Sequence, residues 1–175
     1  MPRKNGSYEK ALRWLREASN HWAVIPALVF VSLADFFVIV IPAELFFVAA
    51  LIGNRAKVIR YSTAMIAGRN IAIALVYAGI VQMPVGLVHD YARQWGLELA
   101  WNRCQIFFDM FGALSLAITA LTPFPMLFVT AMSAVASVEL WQLEVYATAG
   151  LAIRYGVLSS LIVAGHRMVT HGKST

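Results

Sequence analysis

Four ionisable residues stand inside otherwise apolar stretches of this 175-residue chain: Asp35, Glu44, Arg69 and Arg154. Each costs about 2.5–3.5 kcal/mol at the centre of a membrane helix, so together they oppose insertion by roughly 10–14 kcal/mol before any pairing. Buried charges persist where they are partnered or hydrated, and two of each sign permit mutual pairing. Two kinds of chemistry fit such a set. A guanidinium beside the free backbone N–H groups of a helix start holds an anion such as a phosphate. A carboxyl in the same place is pulled in two directions, because the helix dipole favours its charged form and burial its protonated one; Glu44, just after Pro42, is therefore placed to carry a proton. The plainer alternative is that the four are structural ion pairs.

The elements that must position these residues follow from composition. The chain is 60% hydrophobic and 13% charged, with a mean hydropathy of +0.69, against about 25% charged residues in a soluble domain. A chain this short cannot hide so much apolar area from water, so the expected surroundings are a bilayer. The net charge of +5 does not point to nucleic acid. Its basic residues gather at the chain ends and in one loop (Arg55, Lys57, Arg60), which is how membrane orientation is set. Cys104 stands alone, which rules out an internal disulfide and a thiolate metal cluster.

Residues 1–20 carry Arg3, Lys4, Lys10, Arg13 and Arg16 beside a stripe of Tyr8, Ala11, Leu12 and Leu15, the pattern of a cytoplasmic helix lying on the membrane. From Ala23 to Gly53 the sequence is apolar apart from Asp35 and Glu44, with Pro42 between them. The stretches on either side, 23–34 and 45–53, would be about 18 and 14 Å long as helices, too short to cross. A re-entrant hairpin is expected instead. Tyr61 to Val81, interrupted by Arg69, is long enough for a full span, and 86–108 reads as a second surface helix with Val88, Ala92, Trp95, Leu99 and Ile106 on its apolar stripe. Met110 to Val138 is cut by Thr122-Pro123-Phe124-Pro125 into a second hairpin, and Val145 to Gly165, interrupted by Arg154, is the last span. The five tryptophans all fall at expected interfaces.

The layout is thus hairpin and span, repeated. Pro42 precedes Arg69 much as Pro125 precedes Arg154, and repeats of opposite topology with broken helices underlie many transporter folds. The expected fold is an all-α integral membrane protein of two inverted repeats, each a re-entrant helical hairpin plus a transmembrane helix, with interfacial amphipathic helices. Residues 1–20 form the N-terminal segment, 21–167 a single membrane domain and 168–175 a basic tail, with both termini cytoplasmic. The hairpin tips are Pro42, Thr122, Pro123 and Pro125. His21, His89, His166 and His171 lack metal-ligand spacing, and no nucleophile-elbow or zinc-protease pattern is present, so neither a metal, a cofactor nor an enzymatic activity is expected.

The run Asp35-Phe36-Phe37-Val38-Ile39-Val40-Ile41-Pro42-Ala43-Glu44, then Thr122-Pro123-Phe124-Pro125 and Gly150-Leu151-Ala152-Ile153-Arg154-Tyr155, resembles the DedA family, also called VTT-domain or SNARE-associated membrane proteins, and within it the short YqaA-like branch. The resemblance covers residues 23–165. It implies two opposed re-entrant hairpins, no enzymatic reaction, and movement of lipids or lipid phosphates such as undecaprenyl phosphate across the bacterial inner membrane. Asp35, Glu44 and Arg154 match the family's membrane acids and arginines by position and Arg69 loosely. Family members carry arginines around the second hairpin's proline, where Thr122 and Met126 stand here. The expected function is a lipid transporter or scramblase, with membrane lipids and protons as its partners. The alternative is a non-transporting assembly or interaction factor. Oligomeric state stays open, with the few full spans favouring a homodimer.

Overall fold

The computed structural model describes residues 6–37, 42–84, 87, 90, 93, 94, 96–122 and 126–171. Among them every regular element is helical: α1 (Gly6–Asn20), α2 (Val24–Phe37), α3 (Ala43–Gly53), a 3-10 turn (Arg55–Lys57), α4 (Val58–Val81), α5 (Glu98–Phe111), α6 (Leu114–Leu121), α7 (Met126–Val135) and α8 (Leu140–His171). Two helical stretches, Arg55–Val81 and Leu140–Ala164, are long and apolar enough to cross a bilayer. The end of α1 and α2 meet at 90° and would make a third if read as one broken span. At 1.5 Å per residue α2, α3, α6 and α7 are about 12–21 Å long, each short of a hydrocarbon core of about 30 Å.

One helix end differs from the sequence expectation where a charge sits: α2 runs to Phe37, past the expected stretch 23–34, so Asp35 lies in its last turn, whereas α3 begins at Ala43 and holds Glu44 in its first turn as expected. The second surface helix does not run unbroken from 86 to 108. Gly96 takes φ +68, open only to a residue without a Cβ at low cost, and α5 starts after it at Glu98. Val88, Ala92 and Trp95 lie outside the described residues, as do the first hairpin's turn at 38–41 and the Pro123 and Pro125 tips. The last helix extends to His171, across the boundary drawn at 167. Trp101 is buried with Cys104 against Phe128 and Met132 of α7, whereas Trp14, Trp22 and Trp141 are exposed.

Packing follows the same order in both halves. In the first, α1 lies on α3 and α2 on α4; in the second, α5 lies on α7 and α6 on α8. Gly68 and Gly150 set the close approaches of α4 to α2 and of α8 to α6. A Cβ on Gly68 of α4 would strike the Val29 carbonyl of α2, and one on Gly150 of α8 would come within 2.5 Å of the Ala117 carbonyl of α6. The halves join where α4 meets α7 and α8, with Asn70 Nδ2 donating to Thr148 Oγ1 at 2.8 Å. α7 is enclosed on all sides, since Met126 and every residue from Phe128 to Ala134 are buried, while α3 buries Phe47 and Leu51 and leaves Leu45 and Phe46 exposed.

Cys104 is wholly buried, and burial pushes its thiol up to about 11. Only the thiolate reacts, so maleimide labelling of the native protein at pH 7.5 should run roughly a hundredfold slower than labelling of the chain in SDS, and should accelerate as pH rises. Equal rates in the two states would contradict the packing of α5 on α7.

Candidate functional site

The fold brings the four charges together. Asp35 comes from the last turn of α2, Glu44 from the first turn of α3, Arg69 from the middle of α4 and Arg154 from the middle of α8. Arg69 Nη2 donates to Asp35 Oδ2, and the same nitrogen stands 4.0 Å from Glu44 Oε1. Glu44 Oε1 in turn accepts from Arg154 Nη2 at 2.6 Å. The result is one row, Asp35, Arg69, Glu44, Arg154, with alternating sign and no net charge.

Each position has a physical reason. A carboxylate at a helix C-terminus faces the negative end of the dipole, so Asp35 depends on Arg69; Glu44 sits at the favourable positive end of α3. Gly68 lets α4 come close enough to α2 for Arg69 to reach Asp35. The guanidinium also lies 6.0 Å over the Phe36 ring, within cation–π range. Arg154 completes the row differently from expectation. Its Nη1 donates to the carbonyls of Ala120 at 3.3 Å and Thr122 at 3.4 Å, so it caps the carbonyl end of α6 rather than adding to a helix N-terminus.

Exposure divides the row into an inner and an outer pair. The side chains of Arg69 and Asp35 are 9% and 11% exposed; those of Arg154 and Glu44 are 20% and 26%. The outer pair forms the polar base of a cavity of about 290 Å³ whose other walls are Leu121, Ile153, Val157 and Leu158. Leu121, Ile153 and Val157 are themselves exposed on the outer surface. The cavity therefore joins a charged floor to an apolar flank.

Of the expected tips, Pro42 immediately precedes α3, where its carbonyl accepts from Leu45 at 2.9 Å, and Thr122 ends α6 in an extended conformation. A scan against protein-family models finds no match for this chain, and searches of curated proteins and of solved structures find none either. What the site does must come from its geometry.

Three contributors escaped a reading centred on charge. Tyr155, wholly buried, lies beside Arg69 and against the Phe47 ring at 4.9 Å between centroids; in the sequence it was only the residue after Arg154. Asn70 ties the two long helices together next to Arg69, and an uncharged amide in an apolar run gives a weaker signal than a guanidinium. The carbonyls of Ala120 and Thr122 are backbone groups, which no side-chain pattern announces.

Proposed function

We propose that this protein is a transporter or scramblase-like protein that moves a lipid or lipid phosphate, as the DedA resemblance implies, through a site formed by Glu44 and Arg154. In this reading α2–α3 and α6–α7 are re-entrant hairpins of opposite topology, the two halves are inverted repeats, and both termini face the cytoplasm of a bacterial cell. The observation that carries the proposal is the cavity whose floor is the Glu44–Arg154 pair and whose flank is apolar and open to the outside. An amphiphile is complementary to it: an anionic head meets Arg154 while an acyl or prenyl chain lies along Ile153 and Val157.

The head must displace Glu44 from Arg154. Arg69, 4.0 Å from the same oxygen, offers the released carboxylate a second partner. Protonation of Glu44 would free Arg154 by another route, which is how a proton would be coupled. The alternative reading, a non-transporting assembly or interaction factor, is favoured by the closed Asp35–Arg69 pair and by the row's zero net charge, which are what a purely structural network needs.

Reconstitution in liposomes with a headgroup-labelled lipid phosphate separates the two. The wild-type protein is expected to translocate label above empty vesicles, with Arg154→Ala reducing the rate about tenfold or more, the factor that about 1.4 kcal/mol gives, and with Glu44→Gln, which imitates the protonated carboxyl, altering the rate and removing its dependence on pH. No translocation above empty vesicles, or equal rates for the variants, supports the structural reading.

A further inference from the structure

The elbow between α1 and α2, at the opposite end of α2 from Asp35, holds a second cavity, of about 500 Å³; its walls include Trp14, Glu17, Ala18, His21, Ala23 and Ala27. We propose that it seats the headgroup of a zwitterionic aminophospholipid, with the ammonium on Glu17 and Trp14 and the phosphate on His21.

The elbow is built rather than left as a loose turn. The Ser19 carbonyl at the end of α1 accepts from Tyr61 Oη at 2.7 Å and from Lys57 Nζ at 3.4 Å, both from the segment that starts α4. Asn20 Oδ1 accepts from Asn54 Nδ2 at 2.6 Å. A Cβ on Gly53 would overlap Ser19, so α3 also presses directly on this corner. The 90° angle follows, and it puts an amphipathic helix at right angles to the apolar α2. A helix of the first kind lies in the plane of the membrane surface. Their junction then sits at headgroup depth.

The polar groups are the right ones for a headgroup with two charges. Glu17 makes no ion pair among the described residues, although Arg13 stands one turn before it, so its carboxylate is free to accept from a primary ammonium. Trp14 shares the wall and is 67% exposed, so an indole is within the same cavity for that cation. His21 Nδ1 accepts from the Ala23 N–H at 3.3 Å, which leaves Nε2 to carry the proton of the neutral ring and to donate to a phosphate. Glu17 lies in the last turn of α1 and His21 is the first residue beyond it, and both line the same cavity. Three alanines, Ala18, Ala23 and Ala27, are among the other lining residues and fill little of the cavity. The Glu17 carboxylate repels a headgroup that carries only a phosphate, which favours one that brings an amine beside it.

Native mass spectrometry of the full chain in detergent, with equal amounts of short-chain phosphatidylethanolamine and phosphatidylglycerol, tests this directly. The wild type is expected to retain phosphatidylethanolamine about tenfold in preference. Glu17→Gln and Trp14→Leu should each remove the preference, and Glu17→Lys should reverse it, while the exposed Glu98→Gln leaves it unchanged. Free phosphoethanolamine should compete far more weakly than the lipid, since the apolar wall contributes. Retention without preference in the wild type, or a preference that survives Glu17→Gln, overturns the proposal, as does free phosphoethanolamine competing as well as the lipid. A melting temperature of Glu17→Gln equal to wild type, expected for so exposed a residue, assigns the loss to the seat rather than to unfolding.

Discussion

Arg69→Met is expected to destabilise the protein by about 3–5 kcal/mol, the cost of leaving a buried charge without its partner. Asp35 is the reason. Its side chain is 11% exposed, it lies in the last turn of α2 at the negative end of that helix, and Arg69 is the cation that the structure gives it. The double variant Asp35→Leu with Arg69→Met removes both charges and is expected to recover most of the loss, because a pair of apolar residues of similar volume replaces a buried ion pair at little cost. Thermal unfolding in detergent, followed by fluorescence or by size exclusion after heating, reads both. Arg154→Met should cost less. Its partner Glu44 is more exposed and has Arg69 within 4.0 Å. A single Arg69→Met variant that melts with wild type, or a double variant no better than the single, would show that Asp35 does not depend on Arg69.

The glycines give the second large effect, and with opposite signs in one helix. Gly150→Ala puts a methyl group 2.5 Å from the Ala117 carbonyl and 2.8 Å from the Ala120 Cβ, so α8 must move off α6. Overpacking of this kind costs roughly 1–3 kcal/mol. Gly68→Ala meets the Val29 carbonyl and the Ser32 Cβ in the same way and should cost as much or more, since the move also pulls Arg69 from Asp35. Gly156, six residues beyond Gly150, has nothing within 4 Å of the added atom. There the substitution keeps only its backbone benefit, and Gly156→Ala should stabilise α8 by about 0.5–1 kcal/mol. Melting temperatures of the three variants in one detergent decide the matter; a Gly150→Ala variant as stable as Gly156→Ala would mean that α6 and α8 do not pack this closely.

The sequence announces some of this and is silent on the rest for definite reasons. Pro42 and Pro125 break apolar runs that would otherwise span, and the short helices flanking residues 38–41 and 123–125 follow from that. Asp35, Glu44, Arg69 and Arg154 stand out because a charge in an apolar run is expensive. Which acid meets which arginine is another matter. Arg154 takes its carboxylate from the first half of the chain, 110 positions away, and that depends on α3 and α4 packing against α8, a contact held partly by Asn70 and Thr148. The break before α5 is local, yet Gly96 sits in a stretch whose apolar spacing continues through it, so periodicity alone carries the helix too far.

The lone thiol has a practical consequence for following motion in this protein. Cys104 is enclosed between α5 and α7 and is the chain's single cysteine. Natural sequences usually have to be stripped of thiols before a spin label or fluorophore can be placed at will; this one arrives nearly silent. A cysteine introduced at exposed Ile153, on the cavity flank, paired with another at exposed Phe46 on α3, would report the separation of the two halves across the charge row while the native residue stays unlabelled.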